Sequence, residues 1–395
     1  MALVLPGAVQ PALAAALGLD LAASGLVAAA LSLGLGVGVV AGGPLTDRFA
    51  RRPLFCGAAA LAALAGLGLA LLPSFVGVLA ASAGIGLGAG VYETLLNAVV
   101  PERKPEAAAA RLSLMHAAAT LGAALGAPAL GALAGEAGFA AVYLVLGATF
   151  AALALAGSLM RFPAPPGPVS SAERCEPGPL SSPEGCEPAL SSAEDCEPAL
   201  SSAERCDLGL GARPAAAGSL SLGRLLPWAL ATFAYVGLET ALSVFAVPYA
   251  QSAGFAAERG MRALSGFWLG LLLARVGFAA LRRPASVRQL RLAGGAGALV
   301  LAVGARVTLP PEALFCAAGL TLGVVFPLLV SFAGAAAPLR RATAVGIVVG
   351  AGSLGGFLVP WAAGALGDRF GTPAALGLLA VLALTIAAAP RATAR

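Results

Sequence analysis

The sequence predicts an all-α membrane protein of twelve spanning helices in two six-helix bundles. Three observations carry that expectation. Apolar residues make up 59% of the 395 and charged residues only 11%, with a mean hydropathy of +0.90; a soluble domain carries about 25% charged residues. Residues 21–46 and 53–92 contain no Asp, Glu, Lys or Arg. A bilayer core about 30 Å thick takes about 20 helical residues to cross, so the first stretch holds one span and the second holds two, broken at Pro73-Ser74. Finally, a polar segment at 163–222 separates two hydrophobic halves, 1–162 and 223–395.

Residues 1–19 are apolar but carry Pro6 and Pro11 and no basic n-region, which argues against a signal peptide. The second span runs from about Ser24 to Pro44 and the third to about Leu72. Between them lies the hydrophilic loop Gly43-Pro-Leu-Thr-Asp47-Arg48-Phe-Ala-Arg51-Arg52. Its three arginines place it on the cytoplasmic side by the positive-inside rule. The fourth span covers about 76–99 and ends at the basic turn Pro101-Glu-Arg-Lys-Pro105. The fifth covers about 109–134, Gly135-Glu136-Ala-Gly138 turns outside, and the sixth occupies about 139–160.

In 163–222, after Pro163-Ala-Pro-Pro-Gly-Pro, four near-copies follow: SSAERCEPGPL, SSPEGCEPAL, SSAEDCEPAL and SSAERCDLGL. Ser, Pro, Glu and Gly dominate without apolar periodicity, so this linker is expected to be disordered. Its cysteines at 175, 186, 196 and 206 lack a Cys-x-x-Cys pair and match no compact tetrahedral metal site. Cys56 and Cys316 sit in apolar runs as small packing residues. The sequence therefore predicts neither metal nor cofactor.

The second half supplies spans at about 225–247, 262–281, 288–305, 313–333, 342–365 and 373–390, with basic turns at Arg282/Arg283/Arg288/Arg291 and Arg340-Arg341. Gly364-Ala-Leu-Gly-Asp368-Arg369-Phe-Gly371 reads as an outer turn with a local ion pair. The net charge of +5 follows from this asymmetric topology rather than from nucleic-acid binding. Both termini and the linker are expected on the cytoplasmic side of a cell (inner) membrane, and the protein as a monomer.

The ten-residue loop resembles the signature loop of the major facilitator superfamily, in which Gly, three residues, Asp-Arg, one residue, usually Gly, and two basic residues follow one another. Gly43, Asp47, Arg48, Arg51 and Arg52 match, and Ala50 replaces the usual glycine. The resemblance implies twelve helices and a conformational latch, with Asp47 held at the start of helix eleven, near Arg341 to Thr343. It also places the outer end of helix one at Gly7 to Pro11. Only about 10 residues of that helix then remain, so either the true start lies upstream or helix one is a stub.

Charges inside a bilayer are costly, and those retained there are functional candidates. Three stand out: Glu93, Glu239 and Arg275. Glu93 lies eight residues before Pro101, about 12 Å into the membrane, with Asn97 one turn further on the same face. His116 lies about as deep on the fifth span. Low dielectric penalises an ionised carboxylate, so a glutamate there can take and release a proton. It can equally serve as a neutral cement between helices. Arg275 can pair with an acid, hold an anionic group or snorkel. Trp268, two turns from Arg275, offers either a stacking face or packing.

Tyr92-Glu93-Thr94-Leu-Leu-Asn97 and Arg111-Leu-Ser-Leu-Met-His116 are similar to helices four and five of the fucose-permease-like branch, which carry Glu-Thr-x-x-Asn and Arg-Leu-Asn-Leu-x-Gln. There the glutamate takes part in proton-coupled sugar uptake, a role that maps onto Glu93. Ser113 stands in place of the Asn, Ala119 in place of a sugar-contacting Asn, and helix one has no acid. The resemblance implies alternating access for a small polar solute, with protons on Glu93 and His116. Tyr92, Asn97, Tyr235, Glu239, Trp268 and Arg275 are the solute-binding candidates. A proton-driven multidrug or metabolite exporter is the alternative, and a membrane sensor or assembly factor a third class. No paired carboxylates, nucleophile–base motif or phosphate loop points to an enzyme.

Overall fold

A computed structural model describes residues 12–13, 15–18, 21–71, 74–102, 104–164 and 221–388. The expected outer end of helix one at Gly7 to Pro11, the break residue Pro73 and the cysteine repeats of the linker lie outside the described residues. All elements among the described residues are helical. In chain order they are α1 (Leu21–Arg48), α2 (Arg51–Leu71), α3 (Phe75–Glu102), α4 (Ala108–Leu159), α5 (Leu222–Ser252) and α6 (Ala257–Leu281). Then follow α7 (Val287–Arg306), α8 (Pro311–Leu322), α9 (Val325–Ala336), α10 (Arg341–Phe370) and α11 (Thr372–Ala387), with short 3-10 turns at Pro105–Ala107 and Pro338–Arg340.

Among the described residues, nine helical stretches are long and apolar enough to cross a membrane. α11 adds a shorter apolar helix of 16 residues. α7 occupies the place of the ninth expected span, and its three arginines (Arg288, Arg291 and Arg306) dilute its hydropathy. Residues 12–13 and 15–18 are the described part of the first.

The spans run past most of the expected ends. The polar loop shrinks to Phe49 and Ala50 because α1 continues through Pro44 to Arg48 and α2 begins at Arg51. Between α2 and α3, Ser74 Oγ accepts the Gly77 N–H at 3.1 Å and so caps α3. α4 contains the expected fifth and sixth spans. It stays helical through the predicted Gly135–Ala137 turn and breaks only at Gly138, whose φ of 80° favours glycine. α7 starts with a capping box between Ser286 and Gln289. The outer turn expected at Gly364–Gly371 is also helical as far as Phe370. The chain reverses at Gly371 alone (φ 84°), and the guanidinium of Arg369 lies over the Phe370 ring rather than pairing with Asp368.

One predicted span is interrupted. Instead of a single helix over 313–333, α8 ends at Leu322 and α9 begins at Val325. Pro327 has no N–H to give the Gly323 carbonyl four residues earlier, and its ring crowds that oxygen.

α1 packs on α3, α2 on α3 and α4, α5 on α10, α6 on α8, and α7 on α11. Across the two groups, α1 meets α10, α4 meets α6, and α9 lies against α4 and α3. The α1–α3 pair owes its intimacy to glycine. A Cβ at Gly90 would run into Leu35 O, and one at Gly38 into Leu87 O. Gly90→Val should therefore lower the melting temperature in detergent, at a cost of about 1–3 kcal/mol for overpacking. Gly57→Ala, with no atom within 4 Å of the added Cβ, should not. Equal melting temperatures for all three proteins would contradict this packing.

A polar cluster between the two helix groups

Arg275 is 5% exposed and lies on α6 where helices of both groups converge. Its guanidinium has five N–H donors, and five acceptors meet them. Nε donates to Gly323 O at 3.1 Å, the carbonyl freed by Pro327. One terminal nitrogen donates to Thr120 Oγ1 and to His116 O at 3.4 Å. The other donates to Tyr235 OH at 3.3 Å and Glu239 Oε1 at 3.4 Å. Ser113 Oγ donates to the backbone carbonyl of Arg275 at 2.8 Å. Ser113, His116 and Thr120 follow at spacings of three and four and share one face of α4.

His116 leads from this centre to α3. Its Nε2 is 3.1 Å from Asn97 Oδ1, and its ring meets Phe326 edge-on at 4.9 Å. Phe326 also stacks on Tyr235 at 6.0 Å. Asn97 is wholly buried and its Nδ2 has no hydrogen-bond partner. Glu93, one turn from Asn97, is half-buried and takes no hydrogen bond or ion pair from any described residue.

Of the candidates, Asn97, His116, Tyr235, Glu239 and Arg275 are thus joined in one network, with Glu93 beside it. Tyr92 and Trp268 stand apart. The Tyr92 ring packs with Phe55 (6.2 Å) and Phe150 (6.1 Å), and Trp268 packs edge-on against Phe267 at 5.8 Å. Sequence reasoning missed Thr120, Phe326 and the Gly323 carbonyl. Only the last left a signal, the proline four residues downstream.

The loop residues form a second polar site. Asp47 reaches across to α10, which has no side-chain cap of its own. Its Oδ1 accepts from Ala342 N at 3.1 Å, and Oδ2 from Thr343 N at 2.8 Å and Thr343 Oγ1 at 2.6 Å. The carboxylate therefore caps a helix N-terminus and meets the positive end of its dipole. Gly43 makes the approach possible, since a Cβ there would lie 2.7 Å from Thr343 Cα. Arg51 is 2% exposed and grips Glu102 on α3 with two bonds, 2.5 and 2.9 Å. Arg48 and Arg52 are exposed. Glu102, unremarked in the sequence, is thus the counter-ion of the loop.

A sequence model described as Major Facilitator Superfamily matches residues 1–315. Comparison with curated proteins finds no match. Among solved structures the chain is similar to FucP, the fucose–proton symporter of E. coli, in the outward conformation. The identity is 18%, covering 98% of this chain and 95% of that one, with a TM-score of 0.72. It is also similar to the proton–xylose symporter XylE (14% identity, 98% and 91% coverage, TM-score 0.71) and to the human organic anion transporter MFSD10 (19%, 97% and 88%, TM-score 0.67). At these identities the likeness is one of fold.

Replacing Asp47 with Asn removes the charge and one acceptor from the α10 cap. Losing a cap costs about 1 kcal/mol. Backbone amides at 342–343 should then exchange with deuterium roughly fivefold faster, read by mass spectrometry of the peptide around them. Unchanged exchange would mean that Asp47 does not hold this helix end.

Proposed function

This chain belongs to the major facilitator superfamily and is a multi-pass membrane transporter; from that premise we propose that it is a proton-coupled symporter of a small polar solute, with a sugar as the leading class. The observation that carries the proposal is the polar network in which Asn97 and His116 of one helix group meet Tyr235, Glu239 and Arg275 of the other, with the unpartnered Glu93 beside it. Ionisable groups at membrane depth are costly and mark solute and ion paths. Glu93 carries the proton. A carboxyl with no fixed counter-charge needs one to stay in low dielectric, and gives it up when water reaches it.

In this reading the halves 1–162 and 223–395 rock about the network, joined by the linker 163–222. Asn97, through its free Nδ2, and Glu239, through the Oε2 that Arg275 leaves open, face the solute, with Tyr235 beside them. His116 links them to the proton site. The Asp47 end is cytoplasmic; the Asp47–α10 cap latches that side in an outward-facing state, and the Arg51–Glu102 pair beside it stiffens one half. Both termini and the linker share that side of the cell membrane, and the transporting unit is a monomer. FucP moves fucose and XylE moves xylose together with protons, which agrees with this reading.

The test is proton uptake by proteoliposomes on addition of L-fucose, D-xylose or D-glucose. A symporter alkalinises the external medium with one of them. Glu93→Gln should reduce that signal by at least about a hundredfold while the same sugar still raises the melting temperature. Transport by Glu93→Gln at the parent rate would remove the proton from this residue.

A further inference from the structure

Arg275 was a candidate for holding an anionic solute, and its surroundings argue for another task. All five of its N–H donors are taken by protein acceptors, so a solute carboxylate would meet no free N–H. The acceptors come from two sides. Tyr235, Glu239 and Gly323 lie on α5 and at the α8–α9 break, in the same helix group as Arg275. His116 O and Thr120 Oγ1 lie on α4 of the other group, and Ser113 of α4 binds the Arg275 carbonyl. We propose that Arg275 is the inner-gate staple of the transport cycle, with Ser113 and Thr120 as positioning residues that tie α4 to α6 beneath the solute site.

The proposal rests on the alternating-access reading and goes beyond it in assigning a gate to named groups. Opening the Asp47 end requires α4 and α6 to part. Three bonds then break, those from Ser113 Oγ, to Thr120 Oγ1 and to His116 O. The bonds to Tyr235, Glu239 and Gly323 remain, because they lie within one group. The guanidinium thus keeps its ion pair in both states and exchanges only its bonds to the opposite half. The break at Gly323 serves this arrangement, since the freed carbonyl fixes the Nε edge of the guanidinium and aims its far edge at α4. An intact helix would offer no such acceptor. Ser113 and Thr120 are both wholly or almost wholly buried, at 0% and 2% exposure, so water does not replace these bonds while the seam is closed.

The measurement needs neither solute nor proton gradient. Phe49→Cys and Leu339→Cys, both exposed at the Asp47 end and in opposite groups, carry spin labels in full-length protein whose six natural cysteines are replaced. The distance distribution is recorded in lipid nanodiscs. Thr120→Val keeps the shape and removes the acceptor. A hydrogen bond to a charged group supports an expected rise of about tenfold in the ratio of long to short distances. Ser113→Ala should act in the same direction, and stands in for Thr120→Val if that variant does not fold. Thr120→Ser, which restores the hydroxyl, should return the distribution toward that of the parent. An unchanged distribution in folded Thr120→Val or Ser113→Ala protein overturns the proposal, as does failure of Thr120→Ser to rescue. Because no sugar or pH step enters the measurement, its failure leaves the proton-symport reading standing. Absent proton uptake in liposomes with a shifted distribution would reject that reading and keep the staple.

Discussion

A buried guanidinium is tolerable only if each of its N–H groups finds an acceptor, and Arg275 imposes that requirement on three segments at once. In a medium without water an unmet donor costs more than in any soluble protein surface. The demand is met by two side chains of α5, a hydroxyl and a carbonyl of α4, and a carbonyl at the α8–α9 break. Because those segments belong to both helix groups, the same residue that buries its positive charge also bonds the groups to each other. Glu239 makes the charge affordable, at 3.4 Å from the guanidinium and with its own side chain 18% exposed. The remaining acceptors are neutral, which limits the net charge of the network to the pair.

The second constraint acts at the Asp47 end. α10 begins without a cap of its own, and a carboxylate from α1 supplies one. Gly43 and Gly346 allow the two backbones to come close enough, since a Cβ at 346 would lie 2.8 Å from Val39 O. Beside it, Arg51 and Glu102 tie α2 to α3 within one group. One contact therefore spans the groups and the other stiffens one of them. Only the first has to be broken for the groups to separate there, and it is strong in geometry and small in extent.

Between these two sites the interface is made of small residues and aromatic edges. Phe326 joins His116 to Tyr235 across the groups, and Trp228 stacks on Phe332 at 4.8 Å within one. Glu93 lies at the margin of this core. Its lack of a described partner contrasts with the saturated Arg275. In the proposed cycle the group with spare capacity exchanges protons and the group with none holds the scaffold.

The sequence by itself determined the membrane class, the number and order of spans, and the residues with polar chemistry at depth. Hydrophobic length and charge exclusion act locally, within one helix, so they can be read from one strand of text. It also singled out Asp47, because the loop resembles a family motif that places an acid at the start of the facing helix, where Asp47 meets Ala342 and Thr343. Element ends were less legible. Pro44, Pro101 and Gly364 read as stops, yet tertiary packing carries the helices through them. Only the tertiary structure decided that Arg275 meets Thr120, His116, Tyr235 and Glu239, and that Arg51 meets Glu102. Such pairs lie 36 to 159 residues apart along the chain, and no periodicity links them. The break at Gly323 stands between these cases. Pro327 announces a free carbonyl in the sequence, and only the fold supplies the arginine that takes it.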